Sequence, residues 1–208
     1  IKAGIKPIIG CEFYICNDLT KKQGKDDIGH LVLLAKNNEG YHNLMKLNEI
    51  AYVDGFYYKP RIDYKVLQEH SEGVICLSAC LAGHIPTLIL QRRFDEAEAL
   101  AIKMKNMFAE GDFYLEIQDH GIPEQRIVNQ YLAEMSKKLN IKLVATNDVH
   151  YLNKEDAETY KKIMRADGWQ LDAHRIYDIT LGAYQLHKYG EKKIIDEVLK
   201  EDVIKLET

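Results

Sequence analysis

No apolar run in the 208 residues reaches the length needed to cross a bilayer, and no signal-peptide pattern opens the chain. A basic excess is missing too. Lys and Arg total 28 against 32 Asp and Glu, a formal charge of −4, which is not the composition of a stand-alone nucleic-acid binder, although a local basic patch stays open. The four cysteines, Cys11, Cys16, Cys76 and Cys80, contain no CxxC pair and are too sparse for a secreted disulfide scaffold. Those absences leave a soluble chain of a reducing compartment, expected in the cytoplasm and off the membrane. Its length suits one large domain with a real core, or two small ones.

What is present is an alternation of strand and helix signals. Residues 7–16 (PIIGCEFYIC) read as a strand, followed by a polar, lysine-rich loop over 17–29. Residues 30–35 (HLVLLA) read as a second strand, and Leu44, Leu47, Ile50 and Ala51 then recur at helical spacing. A tyrosine-rich loop, GFYYKPRID, leads through Pro60 to a short helix around residues 65–70. Strands are expected at 73–77, 112–117 and 141–146, with helices near 85–91 and 95–108. Pro123 opens another helix, whose apolar face is expected to carry Ile127, Tyr131, Leu132 and Met135. The pattern predicts an α/β fold with a largely parallel sheet. At the start, Lys2-Ala3-Gly4 reads as the end of a helix with its glycine stop, so the chain is expected to be a fragment.

In such folds binding groups gather at the carboxyl ends of strands. Glu12 lies in the first strand, Cys80 just beyond the third, and Asp148 and His150 beyond the fifth. Asp148 and His150 are two residues apart, so on a continuing strand they project together. His30 fits least well, because it sits at a strand's beginning. Carboxylate, imidazole and thiolate are the side chains that bind zinc-like ions, and carboxylate with imidazole also suits manganese or iron. The plainer reading is a set of separate polar residues at strand ends, with Cys80 a small buried hydrophobe.

Six stretches in the same order sharpen the choice: AGIKPIIGCEFYI, HLVLLAKNNEGYHNLMKL, GFYYKPRID, SEGVICLSACLAGHIP, FYLEIQDHG and ATNDVHYLN. Together they resemble the polymerase-and-histidinol-phosphatase (PHP) domain of bacterial DNA polymerase III alpha subunits, over roughly residues 1 to 160. The resemblance implies a distorted TIM-like barrel of seven β/α units, incomplete at its amino terminus, with up to three divalent ions (zinc, manganese or iron) at one end. It makes Glu12, His30, Cys80, Asp148 and His150 the metal ligands, with Asp148 and His150 the catalytic pair. It also implies a parent enzyme that copies DNA, and in some members a metal-dependent 3′–5′ exonuclease. In other members the domain has lost ligands and serves as a scaffold.

The implied partners are DNA, as primer-template or single-stranded 3′ end, the polymerase core and the proofreading subunit. The family's opening His-x-His strand does not appear in this sequence, nor do the palm aspartates. The chain alone is therefore expected to have neither polymerase nor efficient nuclease activity. Residues 161–208 match nothing in the resemblance and read as a mainly helical tail. Arg61 is read as a phosphate clamp, since guanidinium pairs with phosphate oxygens, or as part of a structural turn. Tyr57 and Tyr58 beside it are base-stacking candidates on the same terms. His120 is read as a substrate-side group or as a support behind the ligands, and His84 as a helix-start residue. Two alternatives stand beside the polymerase reading: a stand-alone phosphoesterase of the histidinol-phosphatase type, and a non-catalytic scaffold module.

Overall fold

A computed structural model describes residue 4 and residues 6–22, 28–151 and 153–157. The expected tail at 161–208 and the opening Lys2-Ala3 lie outside the described residues. The elements run β1 (Gly10–Cys16), β2 (Gly29–Ala35), α1 (Asn38–Val53), β3 (Arg61–Asp63), α2 (Tyr64–Glu69) and β4 (Val74–Leu77). They continue with α3 (His84–Leu90), α4 (Phe94–Met107), β5 (Phe113–Ile117), α5 (Pro123–Leu139), β6 (Lys142–Ala145) and a 3-10 turn at Lys154–Asp156. The strands form one six-stranded sheet in the order β3-β1-β2-β4-β5-β6. This is an α/β fold, as expected.

Two expectations need correction. The sheet is mixed: β2 runs antiparallel to both β1 and β4, while β1–β3, β4–β5 and β5–β6 pair in parallel. β2 follows β1 in sequence as its antiparallel neighbour, and an antiparallel pair needs no crossover element. The end of GFYYKPRID is also a strand and not loop, because β3 adds to the outer edge of β1 through Arg61, Ile62 and Asp63. Three residues after a proline carry too little periodicity to announce themselves.

Local chemistry starts the helices. The Asn37 side chain caps α1 by accepting from the Gly40 N–H at 2.9 Å, and Asp63 caps α2 by accepting from Val66 N–H at 2.9 Å. Gly40 is required: a Cβ there would lie 1.8 Å from the Gly73 carbonyl oxygen, where α1 crosses the turn into β4. α5 begins at Pro123 and stops at Asn140 in the left-handed region, φ 49°. Its buried face holds Gln125, Val128, Asn129, Leu132 and Met135. Ile127 and Tyr131, expected inside, are 48% and 37% exposed, and Tyr131 stacks on Phe94 instead.

The two faces of the sheet differ. One is packed by helices into the main core, with Phe13, Ile15, Leu31, Leu33, Val74, Phe113 and Leu115 all buried. The other carries a small cluster of Leu77, Tyr114 and Val144, with Val32, Leu34 and Ile75 against it.

Candidate metal centre

Reversal of β2 accounts for His30. The carboxyl ends of β1, β4, β5 and β6 share one edge of the sheet, and β2 begins at that edge. His30, the second residue of β2, therefore stands beside the turn that follows β4. Its backbone N–H donates to Ala82 O at 3.0 Å, pinning that turn. Across the sheet Glu12 pairs with Val32, Tyr14 with His30, Val32 with Leu77, Leu77 with Tyr114, and Glu116 with Val144. Directly paired residues share a face, and so do residues two apart. Glu12, His30 and Glu116 thus project from the side opposite the main core.

Three of the five expected ligands meet at one atom. Glu12 Oε1 lies 2.7 Å from His30 Nδ1, and Cys80 Sγ lies 3.7 Å from the same nitrogen. Burial disfavours a charged His30. The hydrogen bonds with Cys80 and Glu12, and the negative charge of each, outweigh burial and carry the imidazolium pKa up to about 10. The same bond to His30 holds the Glu12 carboxyl below its ordinary value against the opposing effect of burial, helped by the charges of His30 and His150.

Asp148 joins the group electrostatically. Burial pushes its carboxyl up and the Glu12 charge adds to this, while His150, His120 and His30 pull it down. Its backbone sits at φ 44°, and Ala79, buried just ahead of Cys80, at φ 64°. Both are left-handed positions that cost a non-glycine residue energy and cluster at functional sites. His150 turns Nδ1 onto Asp148 O at 2.7 Å, the kind of contact by which a ligating histidine fixes its other nitrogen.

Among the described residues, no group of three or more His, Cys, Asp and Glu side chains is arranged to hold an ion as it stands. His30 shows why. Two ligands of a tetrahedral ion stand about 3.3 Å apart at ~2.0–2.1 Å bond lengths, and the 2.7 Å between Glu12 and His30 is that of a hydrogen bond. The donor chemistry of carboxylate, imidazole and sulfur fits a zinc-like ion. Occupancy requires that the proton between Glu12 and His30 leave, because ligating imidazole is neutral.

Arg61 and His120, the two residues read as substrate-side groups, are both buried. Arg61 is 2% exposed, and its guanidinium donates to Gly55 O at 3.1 Å and Lys21 O at 3.4 Å and lies over the Tyr57 ring. His120 is 3% exposed, with both ring nitrogens in contact with protein atoms. Neither presents an open face to a substrate in this arrangement. Tyr58 is 60% exposed and packs edge-on to Tyr57. His84 does begin α3, with Nδ1 2.6 Å from the Tyr64 hydroxyl.

Glu116 and Gln118 stand out in the sequence with His120 as alternating groups after the fourth expected strand, but sequence reasoning missed their partners Ser78, Gln125, Asn129 and Thr146, which join them into a polar layer behind the ligands. One signal was available: Gln125 and Asn129 are spaced i, i+4 in the same stripe as Val128 and Leu132, and amides on an apolar stripe need partners.

An α/β domain that collects carboxylate, imidazole and sulfur side chains at one edge of its sheet is the class that fold and site define together. The PHP domain family matches residues 1–120, more than half of the sequence, and the chain belongs to that family. It is 52% identical over 160 residues to the DNA polymerase III subunit alpha of Borreliella burgdorferi, covering 75% of this chain and 14% of that protein. Identity to the proteins of the same name from Treponema pallidum and Thermus aquaticus is 48% in each case, over 158 and 166 residues. Those matches cover 74% and 77% of this chain, and again 14% of each relative. The chain thus spans about one seventh of the length of these relatives. No helix among the described residues is long and apolar enough to cross a membrane.

Proposed function

We propose that this chain is the PHP portion of a bacterial replicative DNA polymerase alpha subunit, working in the cytoplasm on DNA alongside the polymerase core and a proofreading subunit. In the reading proposed here the sheet belongs to a distorted (β/α)7 barrel. Glu12, His30, Cys80, Asp148 and His150 are its divalent-metal ligands, with Asp148 and His150 nearest the chemistry. The observation that carries the reading is the meeting of Glu12 and Cys80 at His30 Nδ1, from three distant parts of the sequence. Bound divalent ions would polarise a phosphodiester and lower the pKa of water, the chemistry of phosphoester hydrolysis. The protein's own part is to hold the donors in a half-buried layer and to release the proton that Glu12 and His30 share when an ion is bound. Relatives that are DNA polymerase III alpha subunits favour the polymerase branch over a stand-alone small-molecule phosphatase. A scaffold role without hydrolysis is the second reading, favoured by the closed Glu12–His30 hydrogen bond.

Thermal unfolding with and without zinc or manganese tests the metal site. A ligand that binds only the native state stabilises by about 2.7 kcal/mol at a hundredfold excess over its dissociation constant. Asp148→Asn is expected to blunt that gain, and an equal response in both proteins would mean adventitious binding. Hydrolysis of a single-stranded 3′ end by the 208 residues is expected to be negligible. Robust metal-dependent exonuclease activity would decide against the scaffold reading that the closed Glu12–His30 bond favours.

A further inference from the structure

The segment that carries Asp148 and His150 follows β6 without regular structure. One backbone bond, Thr146 N–H to Ile117 O at 3.1 Å, extends the sheet by a single residue, and side chains then take over. The Thr146 hydroxyl donates to Glu116 Oε1. Gln118 Nε2 faces both Glu116 Oε1, at 3.1 Å, and Thr146 Oγ1, at 3.2 Å. On the far side His120 Nε2 lies 3.0 Å from Asn147 O. Gln125 fixes His120, with its Nε2 donating to His120 Nδ1 and its Oε1 accepting from the His120 N–H, both at 2.8 Å. Since Nδ1 accepts, the ring proton sits on Nε2 and is donated to Asn147 O. Asn129 Nδ2 closes the layer onto Gln118 O at 2.8 Å.

Glu116 also reaches the other ligand-bearing turn. Its backbone N–H donates to Ser78 Oγ at 2.8 Å. The Ala79 N–H favours the charge of its carboxylate, although Glu116 Oε2 has no hydrogen-bond partner. Glu116 therefore lies between the two residues that immediately precede Cys80, on one side, and Thr146, two residues ahead of Asp148, on the other. A carboxylate 5% exposed is costly to bury, and an apolar residue would fill the same space without that cost. What Glu116 supplies is direction: its backbone N–H holds Ser78, next to the strained Ala79, while its carboxylate holds Thr146, two residues ahead of the strained Asp148.

We propose that Glu116 is a positioning residue that ties the Cys80 turn to the Asp148–His150 segment, with His120 as a second latch on Asn147. The consequence for metal rests on the reading given above, whereas the latch itself is testable without metal.

The test uses the whole 208-residue chain. Hydrogen exchange of the Thr146 amide, followed by NMR without added metal, is compared in wild type, Glu116→Met, Glu116→Gln and Thr146→Val. Glu116→Gln keeps an acceptor oxygen for Thr146, and Thr146→Val removes little more than the hydroxyl. Loss of the latch is expected to speed exchange at Thr146 at least tenfold in Glu116→Met and Thr146→Val, with amides of β2 unchanged and Glu116→Gln close to wild type. Equal exchange in Glu116→Met and Glu116→Gln, or a rise spread over the whole sheet, would overturn the proposal. If Glu116→Met does not fold, Thr146→Val decides, and wild-type exchange at its own residue 146 amide would overturn it.

Cobalt titration supplies the second arm, with loss of a ligand-supporting contact expected to weaken binding by about 10- to 100-fold. Wild type and Asp148→Asn binding cobalt alike would remove the metal reading and leave the latch to the exchange data. Asp148→Asn weakening cobalt while Thr146→Val and Glu116→Met do not would show that Glu116 does not position the ligands.

Discussion

The two faces of this sheet are built from the same strands by opposite rules. On the helix-covered face Phe13, Leu31, Leu33, Val74, Phe113 and Leu115 are all buried, and stability there is a matter of apolar area and close packing. On the other face the apolar cluster shrinks to Leu77, Tyr114 and Val144 with their neighbours, and the strands place Glu12, His30 and Glu116 among them. The contrast shows how an alternating strand separates folding from chemistry: one residue in two serves the core and the next is free to carry charge. The largest test of that division is Leu33→Ala on the core face. Leu33 is fully buried in β2, so its truncation is expected to cost about 2–5 kcal/mol in urea unfolding. Whatever metal response the folded protein has should survive. A variant that unfolds normally but loses metal response would show that the two faces are not independent.

Glu116 offers the next test, from the polar face. Burial pushes its carboxyl pKa up to about 7, the Asp148 charge adds to this, and the bonds from Thr146 and Gln118 oppose it. A raised folded-state value means the native protein holds a proton that the unfolded chain releases above its ordinary carboxylate pKa. Stability from this group is therefore greatest below about pH 4.5, falls as pH rises, and levels off above about 7. The full change is about 3 kcal/mol. Urea unfolding as a function of pH checks it: Glu116→Gln should lack this component of the slope and gain on wild type at neutral pH. A difference between the two proteins that does not vary with pH would place the Glu116 carboxylate outside the low-dielectric layer.

The cysteines divide along the same line. Cys76 and Cys16 are fully buried, and burial and the Glu116 charge raise the Cys76 thiol well above its ordinary value. Cys80 is half-buried at the polar edge and Cys11 is exposed. A thiol reagent is expected to modify Cys11 and Cys80 in the native protein at least ten times faster than Cys16 and Cys76. Zinc should slow the reaction at Cys80 alone. Protection of Cys11 to the same degree would point to loose surface binding.

The core face was the more legible of the two. Apolar runs at residues 30–35, 112–117 and 141–146 gave β2, β5 and β6 within a residue or two, because burial forces alternation on one side of a strand. The direction of β2 was harder, since an apolar strand looks the same from either end. The signal was that residues 17–29 read as a polar, lysine-rich loop, because a parallel neighbour would need a crossover element. On the polar face Glu12, His30 and Cys80 were singled out by residue type and placement in or near strands and then by motif resemblance, and their meeting at His30 Nδ1 is a property of the fold. The Glu116–Thr146 contact spans thirty residues of sequence, and nothing local marks either residue as the other's partner. His120 was read with an open role, and in the fold it is buried with Nε2 3.0 Å from Asn147 O, a contact that no local pattern announces.

The smallest expected effect asks for the same substitution on both faces. Val32 and Val74 are both strand valines, and threonine keeps their branched shape while adding a hydroxyl. Val32 is half-buried beside Leu77 on the polar face; Val74 is 1% exposed in the main core. In Val74→Thr the hydroxyl loses water and meets apolar neighbours, so a cost of about 1–3 kcal/mol is expected for a buried polar group without a partner. In Val32→Thr the hydroxyl keeps access to solvent and to a polar surface, and the cost should fall below about 1 kcal/mol. Urea unfolding of both variants at one pH gives the difference directly, and shared chemistry cancels the effect of the substitution on the unfolded chain. Equal costs would mean that the face bearing Glu12 and His30 is as dry as the core. In that case a charged cluster there would need far stronger compensation than the hydrogen bonds described above, and the separation of folding from chemistry along alternating strand positions would not hold for this sheet.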